Sequence, residues 1–233
     1  MKTISPIATI YTDFPEKFGI PRQSGRVEEL VATIVFEPAF RNPDALRGIT
    51  DFSHLWLLFD FSAVEQGEFH PTVRPPRLGG NAKVGVFASR SPFRPNGIGL
   101  SCVKLLRVEH TPNQGDVLVV AGADLLNGTP IYDIKPYLPY ADSKPQAVGG
   151  YADGVADYRL DVQCAPELLA KIPPQKQQAL LGCLADDPRP SYVEADDRVY
   201  GMKFSTFNIK FRVQSRTLIV LSVESLKGNK ENI

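Results

Sequence analysis

Gly99–Val108 (GLSCVKLLRV) and Val117–Ala123 (VLVVAGA), joined through Asn113-Gln114-Gly115, decide the fold class of this chain. Both runs are rich in aliphatic and β-branched residues, and a glycine following Asn-Gln is turn chemistry, so the segment predicts a β-hairpin. Working outward, the same pattern recurs at Ile4–Tyr11, Glu28–Phe36, His54–Phe61, Lys83–Ser89 and Ile131–Ile134. The glycines (18) and prolines (20) separate these runs, mostly in the first half, and no rhythm of strand and long helix appears. Asn42–Arg47 predicts one short helix. Short strands between turn signals predict a mainly β protein whose first part is a single-sheet β-barrel, closed or nearly closed.

From about Tyr140 to Tyr158 the chain turns polar, with Ser143-Lys144-Pro145 and Gly149-Gly150. This predicts a barrel domain over residues 1–145, a linker over 146–158 and a small α+β module over 159–233. In that module Pro166 starts one helical turn. Gln175–Leu184 makes an amphipathic helix with Leu180, Leu181 and Leu184 on one stripe, ended by Asp186-Asp187-Pro188-Arg189-Pro190. Tyr200–Ser205, Phe207–Val213 and Thr217–Val223 read as a three-stranded meander, and Lys227–Ile233 as a frayed end.

The 233 residues suffice for one large domain or a medium and a small one, and 43% hydrophobic with 22% charged residues is an ordinary globular balance. Lysine plus arginine equals aspartate plus glutamate, 26 each, so any signal for nucleic acid has to be local. Cys102, Cys164 and Cys183 are far apart and odd in number, which fits small buried hydrophobes in a reducing cytoplasm rather than disulfides or zinc. The N-terminal MKTISPIATIYTDF is too short and polar to read as a signal peptide, and the longest apolar runs, such as Leu55–Phe59, are strand-length, so no membrane partner is expected. His70 and His110 lack companions at metal spacing, so no metal is expected.

The local signal exists. Phe69–Val108 contains no aspartate or glutamate, yet holds Arg74, Arg77, Lys83, Arg90, Arg94, Lys104 and Arg107. Such a window predicts a basic surface for phosphates or a carboxylate-bearing ligand, unless these side chains scatter and pair with acids from elsewhere. Inside it, Gly85–Leu100 (GVFASRSPFRPNGIGL) puts two arginines four apart on a loop pinned by proline and glycine.

That stretch resembles the signature of the TrmO/TsaA-like family. The resemblance extends to Pro21-Arg22-Gln23 (the family's PRQ), Phe52–Trp56 (FSHLW) and Thr72–Asn81 (TVRPPRLGGN). It continues through Asn127-Gly128-Thr129-Pro130 and Asp133-Ile134-Lys135-Pro136-Tyr137 (DGTP…DIKPY) to the C-terminal module, and so spans nearly the whole chain. It implies a homodimeric barrel that binds S-adenosylmethionine and methylates N6 of N6-threonylcarbamoyladenosine at position 37, in the anticodon loop of tRNA. Carried over, the cofactor site would involve Gln23, Ser24, Gly25, Arg90, Leu100, Leu105, Leu126, Asn127, Gly128 and Thr129. Asn127 stands where the family has aspartate, and Gly97 follows Arg-Pro-Asn where proline is common.

The residues fit this chemistry in kind. Backbone amides and carbonyls around Gly128 could read an adenine edge, Asn127 could serve a hydroxyl, and an arginine could hold a carboxylate. Arg90 and Arg94 are open to cofactor, substrate or RNA backbone. Arg74, Arg77, Arg94, Asn96, Lys135 and Tyr137 are the candidate RNA contacts, with Tyr140 as a second stacking aromatic and Lys203, Lys210, Arg212 and Arg216 as further cations. Asp133 and Arg90 are the catalytic candidates, His54 a weaker base; Asp133 could equally be structural, paired with Lys135. Two other readings stand beside this one: a non-catalytic RNA-binding barrel, and a hydrolase using Asp133 and His54, which the lack of a GxSxG motif weakens.

Overall fold

The computed structural model describes residues 3–65, 67–75, 82–189 and 198–226. Arg77, the Leu78–Asn81 part of the basic stretch, Pro190 and the Lys227–Ile233 tail lie outside the described residues. Strands β1 (Ala8–Tyr11), β2 (Val31–Phe36), β3 (His54–Asp60), β4 (Thr72–Val73), β5 (Val84–Gly85), β6 (Ile98–Thr111), β7 (Gly115–Ala121) and β8 (Thr129–Pro136) make up the first half. Six of them pair in the order β1-β2-β7-β6-β3-β8, and β8 pairs back onto β1, so the sheet closes on itself.

Alternation drives the closure. In β3, Leu55, Leu57 and Phe59 point inward while His54, Trp56 and Leu58 face out, and β6 answers with Ser101, Val103 and Leu105 inside. The interior is filled by these together with Ile10, Ile34, Leu118, Val120 and Ile131. Gly99 is dictated by this packing: a Cβ there would lie 2.2 Å from the Phe59 ring. The β6–β7 hairpin turns where the sequence places it, with Thr111 opposite Gly115. Lys83–Ser89 is not a full strand; only Val84–Gly85 pairs, with β4, and Val86–Ala88 form a 3-10 turn.

The second half carries α1 (Pro139–Asp142), β9 (Asp161–Gln163), α2 (Pro166–Leu169), α3 (Pro174–Ala185), β10 (Tyr200–Phe204), β11 (Phe207–Gln214) and β12 (Thr217–Ser225). The expected three-stranded meander is a four-stranded sheet, because the short β9 adds to β12 in parallel. Three residues are too few to show a period, so that strand is not legible in the sequence. On α3 the buried stripe is Ala179, Leu180, Cys183 and Leu184 rather than one including Leu181. The cysteines are free thiols, Cys183 fully buried with its pKa pushed far up by desolvation, and Cys102 and Cys164 half-buried.

This second core is not made by the second half alone. Phe14, Val27 and Leu30, with Phe18 and Ile20, come from the β1–β2 connection and pack among Leu180, Met202, Phe204 and Phe211. The close fit is visible at Gly19, where a Cβ would lie 2.4 Å from the Met202 sulfur. Arg26 and Arg159 converge on Asp186, and Arg22 donates to the Arg189 carbonyl. The connection therefore belongs to both cores, and the C-terminal module holds it from outside the barrel.

Candidate functional site

Antiparallel pairing sends alternate connections to opposite ends of the barrel. At one end, here called the mouth, emerge the β1–β2 connection (residues 12–30), the β3–β6 connection (61–97) and the β7–β8 loop (122–128). Gln23-Ser24-Gly25, Arg90 and the Leu126–Gly128 turn ride on these three connections. Arg90 and Gly128 thus lie at the same end of the molecule. The other end holds the β2–β3 connection, the β6–β7 hairpin and the exit of β8.

The mouth has a gap built into it. β7 pairs with β6 only from Lys104 onward, so residues 98–103 of β6 have β3 on one side and, among the described residues, no strand on the other. Loops fill that edge: the Cys102 amide donates to Ser24 Oγ at 3.1 Å, and Gly25 N–H donates to the Gly122 carbonyl at 2.9 Å. Gly122 has φ +76, and a Cβ there would press to 3.3 Å of the Gly25 backbone, so glycine is required. Ser101, itself buried, hydrogen-bonds Asp124 through its hydroxyl. The backbone amides of Ser24 and Asp124 also serve this carboxylate. Burial pushes the Asp124 pKa up, opposed by the Ser101 hydrogen bond, these amides and the nearby Arg90 charge. Arg90 is exposed and donates not to Asp124 but to Gln23 Oε1, at 2.5 Å.

The Leu126–Thr129 turn differs from its sequence reading in one respect. Its amides are not available to an adenine: Asn127 N–H donates to Phe14 O, Gly128 N–H to Ile10 O and Thr129 N–H to Leu126 O. The Asn127 Oδ1 accepts from Thr12 N–H at 3.0 Å, work that an aspartate would do equally well. What this exposed turn offers a ligand is carbonyl oxygen and the Asn127 carboxamide nitrogen.

Beside the mouth opens a cleft of about 1730 Å³ between the β1–β2 connection, both arms of the β3–β6 connection and residues 149–156. Among the described residues, Arg22, Arg26, Arg74, Lys83, Arg90 and Arg94 line it against only Glu65 and Glu68. Phe69 and Phe87 stack there with ring centroids 6.4 Å apart, exposed by 55% and 74%. The cleft reaches Gln23 and Arg90 but not Ser24, Asp124 or the Asn127 turn, so the hydrogen-bonded gap at β6 and the cationic cleft are neighbours sharing Gln23 and Arg90. Among the described residues no group of three or more His, Cys, Asp or Glu could hold a metal ion, and no helix is long and apolar enough to cross a membrane.

A sequence profile of the tRNA-methyltransferase O N-terminal domain matches residues 9–143, and one of the TrmO C-terminal domain matches residues 157–226. The chain belongs to the TrmO family. A relative from Escherichia coli (strain K12), named tRNA (adenine(37)-N6)-methyltransferase, is 40% identical over 226 residues, covering 94% of this chain and 96% of that protein. A Pseudomonas aeruginosa (strain PAO1) relative, named putative S-adenosylmethionine-dependent methyltransferase RcsF, is 39% identical over 93% of this chain and 95% of its own length. A crystal structure of TrmO from Pseudomonas aeruginosa superposes with a TM-score of 0.76 at 33% identity, covering 97% of this chain and 100% of that one.

Of the residues that the TrmO resemblance singles out, the fold gathers Gln23, Ser24, Gly25, Arg90, Leu126, Asn127 and Gly128 at the mouth, with Leu100 on the outer face of β6, 51% exposed. Thr129 is buried and bonds Leu126 O through its hydroxyl. Leu105 is a correction: it packs inside the barrel opposite Val120, because its parity on β6 is that of Val103 and Ser101. Arg74 and Arg94 line the cleft, while Asn96 is exposed just before β6.

Asp133, Lys135, Tyr137 and His54 go elsewhere. Asp133 lies four residues into β8, about 13 Å from the mouth at strand rise. It faces outward and pairs with Lys135 at 2.7 Å. Tyr137 packs against Trp56 and His54 at centroid distances of 5.7 and 6.2 Å, at the far end. Asp124 and Ser101 were missed by the sequence reading. The only signal is a polar residue at an inward parity on β6, one that a broken hairpin pairing leaves facing a loop rather than the core.

Proposed function

We propose that this chain transfers the methyl group of S-adenosylmethionine to N6 of adenine 37 in tRNA, acting on the N6-threonylcarbamoyl form within the anticodon loop. The observation that carries this reading is the convergence of the three mouth connections, bearing the cofactor residues that the family implies, beside a cationic cleft. The donor set fits the cofactor: an exposed guanidinium at Arg90 suits a carboxylate, and the Asn127 carboxamide and neighbouring carbonyls suit ribose hydroxyls and an adenine amine. When bound, the cofactor supplies a methyl group activated by a sulfonium.

The protein's own contribution is placement. Gln23 orients Arg90, the β6 edge and Gly122 fix Ser24 and Gly25, and the Phe14 and Thr12 contacts fix the Asn127 turn. Aligning two reacting groups in this way is sufficient to lower a bimolecular displacement barrier substantially. The cleft lies open beside the mouth, giving the N6 proton a route to water; Asp133 is assigned to its ion pair with Lys135. Arg74, Lys83 and Arg94 attract the RNA backbone, and the Phe69–Phe87 face offers a platform for an unstacked base. We read the chain as a homodimer, supported by the exposed apolar Ile98, Leu100 and Phe93 beside the mouth.

The test is direct. Purified protein should move labelled methyl from S-adenosylmethionine to tRNA bearing threonylcarbamoyladenosine, and not to the same tRNA lacking that group. Binding of tRNA without any cofactor binding would favour the non-catalytic RNA-binding reading instead.

A further inference from the structure

The cations that line the cleft, among the described residues, are not equivalent. Arg22 and Arg26 are engaged with the C-terminal module, at the Arg189 carbonyl and at Asp186. Arg90 is held by Gln23 at the mouth. Arg74 and Lys83 are exposed and adjoin the paired Val73 and Val84. They therefore stand at the end of the β4–β5 ribbon remote from the Val86–Pro71 hydrogen bond, which leads on to Arg90. Arg94 is different. It is half-buried, and its guanidinium donates to the Ser89 carbonyl at 3.1 Å, beside the backbone of Arg90. Among the described residues no carboxylate pairs with it. One amino group is used, by a neutral oxygen, and the rest of the planar fork is free for an anion.

The loop holds this guanidinium in place before a ligand arrives. Ser89 Oγ donates to the Val86 carbonyl and accepts from Ser91 N–H, and Ser91 Oγ accepts from Phe93 N–H at 3.2 Å. Arg94 N–H donates to the Pro92 carbonyl at 3.0 Å, and Pro92 and Pro95 restrict the chain on either side. Such bracing lowers the ordering cost of binding.

The position of Arg94 says which anion. The carboxylate of a threonylcarbamoyl group is four bonds from N6, roughly 5 Å at standard bond lengths. Its receptor has to stand next to the residues that hold the methyl donor, and Arg94 does so through its bond to the residue before Arg90. Arg74 and Lys83, at the ribbon's far end, suit phosphates instead. We propose that Arg94 takes the threonylcarbamoyl carboxylate in its guanidinium fork and is the residue that makes this protein require that group on adenine 37. The proposal rests on the function read above and goes beyond the general attraction of Arg94 for RNA.

Three anticodon stem-loops, titrated by calorimetry, separate this contact from one to the RNA backbone. One carries threonylcarbamoyladenosine at position 37, one the same group as its carboxamide, and one plain adenosine. The parent protein should prefer the acid to the carboxamide by about ten- to a hundredfold, the size of one charge-assisted contact. Arg94→Gln should bind acid and carboxamide about equally, while its affinity for the plain loop falls much less than that for the acid. Equal loss on all three loops makes Arg94 a backbone contact and overturns the proposal. So does an undiminished preference in the variant, or no preference in the parent. Should Arg94→Gln not fold, Arg94→Met, which keeps an unbranched apolar stem without the charge, carries the same comparison. Failure of the parent to bind S-adenosylmethionine, or to methylate the acid loop, would instead remove the function reading itself.

Discussion

Arg26 and Asp186, 160 residues apart in sequence, meet at 2.5 Å, and the same carboxylate oxygen takes Arg159 at 2.6 Å. Arg159 in turn donates to the Arg26 carbonyl. This closes the C-terminal module onto the residue that follows Gln23-Ser24-Gly25. The module thus acts on the barrel mouth mechanically, without lining the β6 gap.

Asp186→Ala leaves two guanidiniums facing an empty site and should destabilise the protein by about 3–5 kcal/mol, read by denaturant melts. Because Asp186 reaches the mouth through Arg26, directly and by way of Arg159, the surviving folded protein should bind S-adenosylmethionine more weakly yet keep its turnover at saturating cofactor. An equal loss of turnover and affinity would show that the anchor shapes the reaction itself.

Asp124 gives a stability prediction of the opposite sign. Its pKa is raised in the folded protein, so the folded state holds that proton more tightly than the unfolded chain does. The stability linked to the protonated carboxyl is complete below the ordinary value near 3.8 and is lost as pH rises through the raised one. Asp124→Asn should therefore melt at a higher temperature than the parent near pH 7, with the difference fading in acid. A site that sacrifices stability for binding behaves this way; a variant that melts lower at pH 7 would count against it.

The barrel strands were legible because inward parity repeats along them: Leu55, Leu57 and Phe59 announce their face, and the Asn113-Gln114-Gly115 turn sets its own hairpin. The mainly β class followed from that periodicity. Leu105 was misplaced because a resemblance assigns positions without parity, and β9 was lost because three residues carry no period. The apolar residues of the β1–β2 connection were legible as hydrophobic, but nothing local says that Phe14 and Val27 belong to a core completed more than a hundred residues later. Asp124 is the same failure at the site: its importance comes from where β7 parts from β6, which is a property of pairing and not of any word in the sequence.

Gly99 tests the packing inside the barrel. A methyl group there meets the Phe59 ring at 2.2 Å, so Gly99→Ala should cost about 1–3 kcal/mol by overpacking. Adding Phe59→Leu should recover part of that loss, a positive coupling in a double-mutant cycle. Additive losses would mean that the backbone, not the ring, resists the substitution.

Asp133 should matter little. It is exposed and its pair with Lys135 is of a kind that contributes at most about 1 kcal/mol. Asp133→Ala should keep methyl transfer within about twofold of the parent, a change of roughly 0.4 kcal/mol in the barrier. A loss of two or more orders of magnitude would restore Asp133 as proton acceptor and require the substrate to reach along β8.

The cleft makes a separable claim about RNA. Its cations act through counterion release, so Arg74→Ala or Lys83→Ala should weaken tRNA binding for every sequence tested and reduce the slope of log affinity against log salt by about 0.7–0.9 each. Phe87 acts differently: stacking on an unpaired base contributes about 1–3 kcal/mol and is nearly indifferent to salt. Phe87→Ala should therefore lower affinity for an anticodon stem-loop while leaving the salt slope unchanged, and Phe87→Trp should retain binding. The Phe69–Phe87 stack, inclined by 25°, lines the same cleft as Arg74 and Lys83, so a Phe87→Ala, Arg74→Ala double variant should show coupling if one RNA segment contacts both. If instead Phe87→Ala leaves RNA affinity intact and converts a dimer to a monomer, the exposed ring covers a second copy of the chain and the RNA lies elsewhere along the cleft.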